Sequence, residues 1–303
     1  MNRKDFLLKY VNKDKAGLEI GPSHNPIAPK SEGYNVEIID HTDEDGLIKK
    51  YKNDASVDVL NIEKVDYVWE GQTYKDLPKK SQHYHWIIAS HVIEHTTDFI
   101  RFINDCNDLL TDSGKLILAV PDYRFCFDQF RAITGLSKVI DAHSNKHTLH
   151  SIGTIAEFHL NVSSRGGKIA WKEHHSGKAE LLYSHSEAME IYESAKNSKE
   201  YLDAHAWCFT PSSFHLILHD LKTLGLTELS VADQYSPGGS EFFFVLSRET
   251  TSNSVDRVKL LLETQKEVAN GVSPSFMRKT HIRFRRSITK RLKQLSVFSA
   301  LDK

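Results

Sequence analysis

Short apolar runs separated by polar, turn-rich segments fill the chain from Gly17 to about Val120. Leu18 and Ile20 mark a first strand, Val36 to Ile39 a second, Val65 to Val68 a third, Trp86 to Ala89 a fourth and Leu116 to Val120 a fifth. Runs this apolar suit strands covered by helices on both faces, so the alternation predicts an α/β domain with a parallel sheet. Between the last two strands, Phe99, Phe102, Ile103, Leu109 and Leu110 recur at helical spacing, and Asp112-Ser113-Gly114 stops that helix. Thr210-Pro211-Ser212-Ser213 reads as a helix start with proline at the first helical position, followed by the stripe Phe214, Ile217, Leu218 and Leu221. Leu226 to Val231 and Glu241 to Leu246, joined across Ser236-Pro237-Gly238-Gly239, read as a terminal antiparallel pair.

The stretch 121–206 breaks this alternation and is too long for an ordinary connection. It predicts a mainly helical insertion or cap, where substrate selection would reside. Residues 1–120 and 207–249 then make one domain, and 250–303 supply a polar linker, a helix from Val255 to Val268 and a C-terminal helical tail.

Composition narrows the class. No run approaches the roughly 20 apolar residues that span a bilayer, and Met1 to Tyr10 is charged and amphipathic, unlike a signal peptide. Cys106, Cys126 and Cys208 are too far apart to suggest a disulfide framework or a cysteine zinc cluster, which fits a reducing, cytoplasmic setting. The 39 basic and 40 acidic side chains nearly cancel, yet Val268 to Leu301 holds no acidic residue, so the body is acidic and the tail basic. Phe276, Ile282, Phe284, Ile288, Leu292 and Leu295 alternate with arginines and lysines, a pattern for a basic amphipathic helix over 276–295. Such a segment suits an anionic membrane surface, at about 1 kcal/mol per cation, and predicts a peripheral position at the inner membrane face. A protein partner or an oligomer would also satisfy it, so the oligomeric state stays open. Nucleic acid is the weaker partner, because the body is acidic and lacks an aromatic-flanked Asn-Pro or Asp-Pro base pocket.

The chemistry-bearing segment starts at Gly17-Leu18-Glu19-Ile20-Gly21-Pro22-Ser23-His24-Asn25-Pro26, a strand running into a glycine turn. Such a turn exposes amide donors beside the carboxyl ends of the strands. About 20 residues on, Asp40 closes the second strand, where a carboxylate can accept both hydroxyls of a ribose. The turn lacks the three-glycine pattern of nicotinamide enzymes, which favours a cofactor without pyrophosphate. In Glu19, Gly21 and Asp40, and again in Ala89-Ser90-His91-Val92-Ile93-Glu94-His95 and Leu110-Thr111-Asp112-Ser113-Gly114-Lys115-Leu116, the chain resembles the class I S-adenosylmethionine-dependent methyltransferases. The resemblance implies a Rossmann-like sheet of seven strands with the last pair antiparallel. It implies S-adenosylmethionine as cofactor, with Glu19, Gly21 and Pro22 around its methionine part, Asp40 on the ribose and Asp66 near the adenine. Ser90 and His91, just after the fourth strand, would face the transferable methyl group, and His91 is the candidate base for a hydroxyl acceptor.

His91-Val92-Ile93-Glu94-His95 also reads as the H-x-x-E-H pattern of certain zinc proteases. That reading needs a third ligand and a peptide cleft, whereas the motif follows a buried strand, so no metal site is assigned. The segment is also similar to the E-x-x-E-H of ubiquinone-pathway O-methyltransferases, whose carboxylates can hold a divalent ion. His91 stands at its first glutamate, so a divalent metal stays open.

Past the fifth strand, Pro121 to Arg131 is dense in aromatic and charged groups, which suit a carbohydrate. Asp128 and Arg131 are acceptor-binding candidates. His143 in Asp141-Ala142-His143, and His205 and Trp207 in Asp203-Ala204-His205-Ala206-Trp207, join them through carboxylate–histidine pairings that could orient a base. Arg124 to Arg131 and Trp207 to Phe214 resemble bacterial methyltransferases found with surface-polysaccharide glycosyltransferases. That likeness implies a sugar hydroxyl of a glycan or its precursor. The competing reading is a non-catalytic scaffold built on the cofactor fold in a membrane-associated glycan assembly.

Overall fold

The computed structural model describes residues 2–249 and 255–271, and every structural statement below concerns these. The expected linker and the basic segment 276–295 lie wholly or mainly outside them. In chain order the first half comprises α1 (Arg3–Leu8), β1 (Gly17–Ile20), β2 (Val36–Asp40), α2 (Glu44–Tyr51), β3 (Tyr67–Val68), β4 (Tyr84–Ser90), α3 (Phe99–Leu109) and β5 (Leu110–Pro121). The insertion contributes α4 (Leu136–Ser144), α5 (Ile152–Asn161), a small hairpin of β6 (Ser163–Arg165) and β7 (Ala179–Leu181), and α6 (His185–Asn197). The chain returns through α7 (Pro211–Thr223), β8 (Ser230–Tyr235), β9 (Glu241–Ser247) and α8 (Arg257–Gly271).

Seven strands form one sheet in the order β3-β2-β1-β4-β5-β9-β8. The first five are parallel, and β9 runs antiparallel to both β5 and β8. This is the Rossmann-like sheet of class I methyltransferases. Its order reverses between β1 and β4, and a ligand in such a sheet binds outside the carboxyl ends at that reversal.

The period-2 alternation of side chains sorts the central strands onto two cores. Ile87, Ala89, Leu116, Leu118, Phe242 and Phe244 pack with Phe99, Ile103 and Cys106 of α3 and Phe214 and Leu218 of α7. Trp86, Ile88, Ile117, Ala119, Phe243 and Val245 face the other way, onto Phe6 and Leu7 of α1 and the Ile27-Ala28 loop. Each fully buried large apolar side chain contributes about 1.5–3 kcal/mol, so both faces stabilise the sheet that carries the site.

Three strands differ from expectation. β5 starts at Leu110 rather than Leu116, because α3 ends at Leu109 and Asp112-Ser113-Gly114, read as the helix stop, lies within the strand. β3 starts at Tyr67, because the Asp66 carboxylate takes the Ile38 N–H at 2.8 Å where backbone pairing would continue. β8 starts at Ser230 rather than Leu226. The Leu226 N–H closes back onto the Leu221 carbonyl at 2.9 Å as the cap of α7, and Leu229 is buried in the core. No helix among the described residues is long and apolar enough to cross a membrane.

Candidate active site

A crevice of about 690 Å³ opens at the carboxyl ends of β1, β2 and β4, within the size range of small-molecule sites. Gly21 forms its bend with φ +66°, and a Cβ there would come within 2.8 Å of Val92 Cγ2, so only glycine leaves this space. Ser23 and His91 also adopt left-handed backbone, φ +52° and +55°. Such conformations in residues with a Cβ concentrate where a site requires them. Ser23 is held by its N–H to Asp40 Oδ2 at 2.7 Å and by its hydroxyl to Tyr51 at 2.9 Å.

Asp40 lines the crevice from the tip of β2. Oδ1 takes the His41 N–H and Nδ1 at 2.8 and 2.6 Å, while Oδ2 takes Ser23. A carboxylate has about four acceptor positions and three are used, so one remains for a ribose hydroxyl, on a side chain about 1% exposed. Trp69 and Tyr74, stacked at 5.8 Å with an interplanar angle of 8°, offer a flat aromatic wall beyond β3. The glycine cradle, the ribose-matched carboxylate and this wall fit an adenosyl cofactor.

Glu19, expected against the methionine part, does not face the crevice. It is buried beneath the bend and accepts the N–H groups of Ile27 and Ala28 at 2.7 and 3.1 Å, pinning the loop that follows. Burial pushes its carboxyl up to about 7 against those two hydrogen bonds. Pro22 follows the bend without lining the crevice. Asp66 lies level with Ile38, two residues back along β2 from Asp40, and its carboxylate is spent on Lys30 at 2.6 Å and the Ile38 N–H at 2.8 Å, so it does not line the crevice where an adenine would sit. Ser90 is tied by its hydroxyl to Arg3 Nη2 at 2.6 Å, directed away from the crevice lining.

His91 does line the crevice, but as a cation. Burial works against its charge, yet contacts to Glu241 at 3.1 Å and Glu94 at 3.4 Å overcome it and raise the imidazole to about 9. A histidine already protonated at neutral pH cannot take a proton from an acceptor, which removes the base role expected of it. Arg3 holds the other side of Glu241 at 3.0 Å, so α1 braces this rim.

Of the acceptor candidates in the insertion, Asp128, Arg131 and His205 are internal and His143 is partly exposed. Asp128 and Arg131 pair at 2.9 Å with about 1% of either side chain exposed, and Arg131 also meets Glu157 at 3.3 Å. The density of aromatic and charged groups there reflects a buried ion pair under Phe158, not an open sugar site. His205 is buried with Nδ1 2.6 Å from Asp128, and Trp207 is buried with its indole N–H on the Thr96 carbonyl at 2.7 Å. His143 pairs with Asp98 at 3.0 Å rather than with Asp141. Asp203 likewise bonds His95 Nδ1 at 2.8 Å and not His205.

Sequence reasoning therefore missed Glu94, His95, Tyr201 and Asp203 as a unit. His95 and Asp203 line the crevice with Tyr201, whose hydroxyl donates to the His95 carbonyl and the Asp203 carboxylate, both at 3.0 Å. Glu94 is fully buried behind them. Burial would raise its carboxyl, but His91 and the neighbouring His95 and His205 hold it below the ordinary range. The H-x-x-E-H spacing was the available signal. A second groove of about 260 Å³ meets the crevice at Thr97 and is lined by Ser137, Lys138, Asp141, His147 and His150 of the insertion and by Trp207, the one acceptor candidate that reaches it.

No curated protein matches the sequence. Among solved structures, similarity is loose. A protein described as a Zn-dependent alcohol dehydrogenase from Rhodobacter sphaeroides is 13% identical over 82% of this chain and 89% of its own, with a TM-score of 0.42. S-adenosylmethionine-dependent methyltransferases from Listeria monocytogenes and Methanosarcina mazei are 12% and 13% identical, over 82% and 81% of this chain and 98% of each of theirs, with TM-scores of 0.40 and 0.41. The decisive match is a family model described as a methyltransferase domain, which covers residues 2–165, more than half the chain. With that match, the sheet order and the crevice at its reversal, the chain belongs to the methyltransferase domain family as a class I, S-adenosylmethionine-dependent methyltransferase.

Proposed function

We propose that the protein methylates a hydroxyl of a sugar in a bacterial surface glycan or its precursor. The observation that carries this reading is the second groove, joined to the donor crevice at Thr97 and lined by Trp207 as well as polar side chains. Hydroxyls, an ammonium, a carboxylate and imidazoles line it, a mixture that matches the many donors and acceptors of a carbohydrate. The groove, rather than Asp128 and Arg131, is then the acceptor site. In this reading the basic 276–295 segment holds the enzyme at the inner membrane face.

Bound S-adenosylmethionine supplies an electrophilic methyl group on sulfur. The bend at Gly21 would take its methionine end, Asp40 would accept from the ribose, and the Trp69–Tyr74 wall would flank the purine. Transfer breaks the S–CH₃ bond, forms an O–CH₃ bond and releases the hydroxyl proton. His150 is suited to orient that hydroxyl. Its Nε2 is buried with no hydrogen-bond partner among the described residues, its ring packs on Tyr201 at 5.3 Å, and burial pushes it down to about 4, so it is neutral at pH 7. Turned into the groove, a neutral imidazole accepts the hydroxyl's hydrogen bond and aligns it, while the proton leaves directly to solvent, since a ring held near 4 is too weak a base to carry it.

Mass spectrometry of glycan from cells with and without the protein tests the reading. The expected result is a sugar unit lighter by about 14 Da, one methylene, when the protein is missing. Purified His150→Ala should bind S-adenosylmethionine with unchanged Kd and lose turnover. Identical glycan masses in the two cell lines would refute the glycan acceptor.

A further inference from the structure

Glu94 is fully buried, and neither of its carboxylate oxygens has a hydrogen-bond partner. The His91 imidazole, 3.4 Å from Oε1, is shared with Glu241. The His91 imidazolium thus compensates Oε1 only in part and leaves Oε2 of a fully buried carboxylate unmatched, an arrangement that a further cation would relieve. Two further ligating atoms converge on it. One atom each from Glu94, His95 and His205 lie within 4.8 Å of one another, and the two rings meet edge to face with centroids 4.5 Å apart.

Both histidines are held in the manner of metal ligands. His95 engages Asp203 through Nδ1 at 2.8 Å, and His205 engages Asp128 through Nδ1 at 2.6 Å. A carboxylate on Nδ1 keeps the proton there, fixes the ring and leaves the lone pair on Nε2 for the cluster. The supports are themselves fixed, Asp128 by Arg131 at 2.9 Å and Asp203 by the Tyr201 hydroxyl at 3.0 Å. The Ala206 N–H on the Glu94 carbonyl at 2.7 Å locks the segment bearing His205 onto the turn bearing Glu94 and His95.

We infer that Glu94, His95 and His205 bind one divalent transition-metal ion of the zinc class in the wall of the crevice. Two imidazoles and a carboxylate suit zinc and its neighbours, whereas magnesium and calcium favour all-oxygen sets. The set is not that of an E-x-x-E-H segment. His91 at its first position is committed to Glu241, and the third donor comes from the insertion. Three protein ligands leave a position open, and His95 lines the crevice, so an acceptor oxygen could occupy it. That use rests on the hydroxyl acceptor proposed above; binding of the ion does not. The competing arrangement is an ion-free cluster neutralised by protons on the histidines.

The test uses the full chain, stripped with chelator and equilibrated with Zn²⁺ or Mg²⁺, with metal content measured by mass spectrometry and folding by circular dichroism. About one Zn²⁺ per chain is expected, and Co²⁺ in its place should give a visible d–d spectrum. His205→Ala should abolish stoichiometric binding, and His143→Ala, outside the cluster, should retain it. Asp203→Asn leaves all three ligands in place and should weaken the affinity about 10–100-fold by loosening His95. Folded wild-type protein that binds no more Zn²⁺ than His205→Ala, or that takes Mg²⁺ in preference, would overturn the site. Calorimetry with S-adenosylmethionine on the same samples separates the two readings. Donor binding without stoichiometric Zn²⁺ sinks the metal site alone, and Zn²⁺ binding without donor binding supports the site and removes the proposed methyl transfer to a hydroxyl.

Discussion

Replacing Gly21 by alanine asks whether the bend after β1 is shaped for a ligand or merely for the chain. Gly21 has φ +66°, and a residue with a Cβ in that region loses about 1–2 kcal/mol. Gly225, at the end of α7, has nearly the same backbone, φ +71°, but nothing within 4 Å of the added Cβ. The two substitutions thus bear one common backbone cost and differ in a single contact. At Gly21 the new methyl would lie 2.8 Å from Val92 Cγ2. Valine is branched at Cβ and has few rotamers to escape into, so the methyl or Val92, the neighbour of His91, must move into the crevice. Both variants should lower the unfolding free energy in urea by about 1–2 kcal/mol. Only Gly21→Ala should also weaken S-adenosylmethionine binding in calorimetry, by at least about tenfold, or 1.4 kcal/mol. Equal affinities in both variants, or an equal loss in Gly225→Ala, would refute the reasoning.

Two titrations extend it. The His91 imidazole, raised from 6.5 to about 9, contributes stability that is fully present below pH 6.5 and lost as pH climbs through 9. NMR titration of chelator-treated protein, with no ion on Glu94, should find its midpoint near pH 9, lower in Glu241→Gln; a wild-type midpoint near 6.5 would contradict the imidazolium rim. Glu19, raised from 4.5 to about 7, contributes stability present below pH 4.5 and lost as pH rises through 7. Glu19→Gln has one acceptor oxygen for two N–H groups and should cost about 1–3 kcal/mol at pH 5. By pH 8 that gap should close or reverse, since the wild type alone has lost up to about 3 kcal/mol to ionisation. A gap in urea midpoints that does not vary with pH would count against a strained Glu19 carboxyl.

The parts of the site legible in the sequence are those that a strand order alone brings together. β1 pairs with β2 on one side and β4 on the other, so Gly21, Asp40 and His91, each at or just past a strand end, arrive at one crevice with no further information. The carboxylate–histidine pairs are of another kind. Asp141 and His143 are two apart on a helix and point to different sides, which frees His143 for Asp98. Asp203 and His205 lie in an irregular segment where two extended residues span about 6.6 Å, room for the His95 ring to sit between them. His95 thus takes the Asp203 carboxylate, and His205 turns to Asp128, 77 residues earlier. Each partner was visible as a residue type and invisible as a pair, because its choice is made by how the insertion packs onto the turn after β4. Asp128 and Arg131 differ again: their spacing of three residues does announce an ion pair, and the aromatic residues around them announce that it is buried. Reading that density as an open carbohydrate site gave weight to composition over spacing. The same physics returns the paired Asp128 to function one step removed, since a carboxylate fixed by Arg131 is what holds the His205 ring toward Glu94.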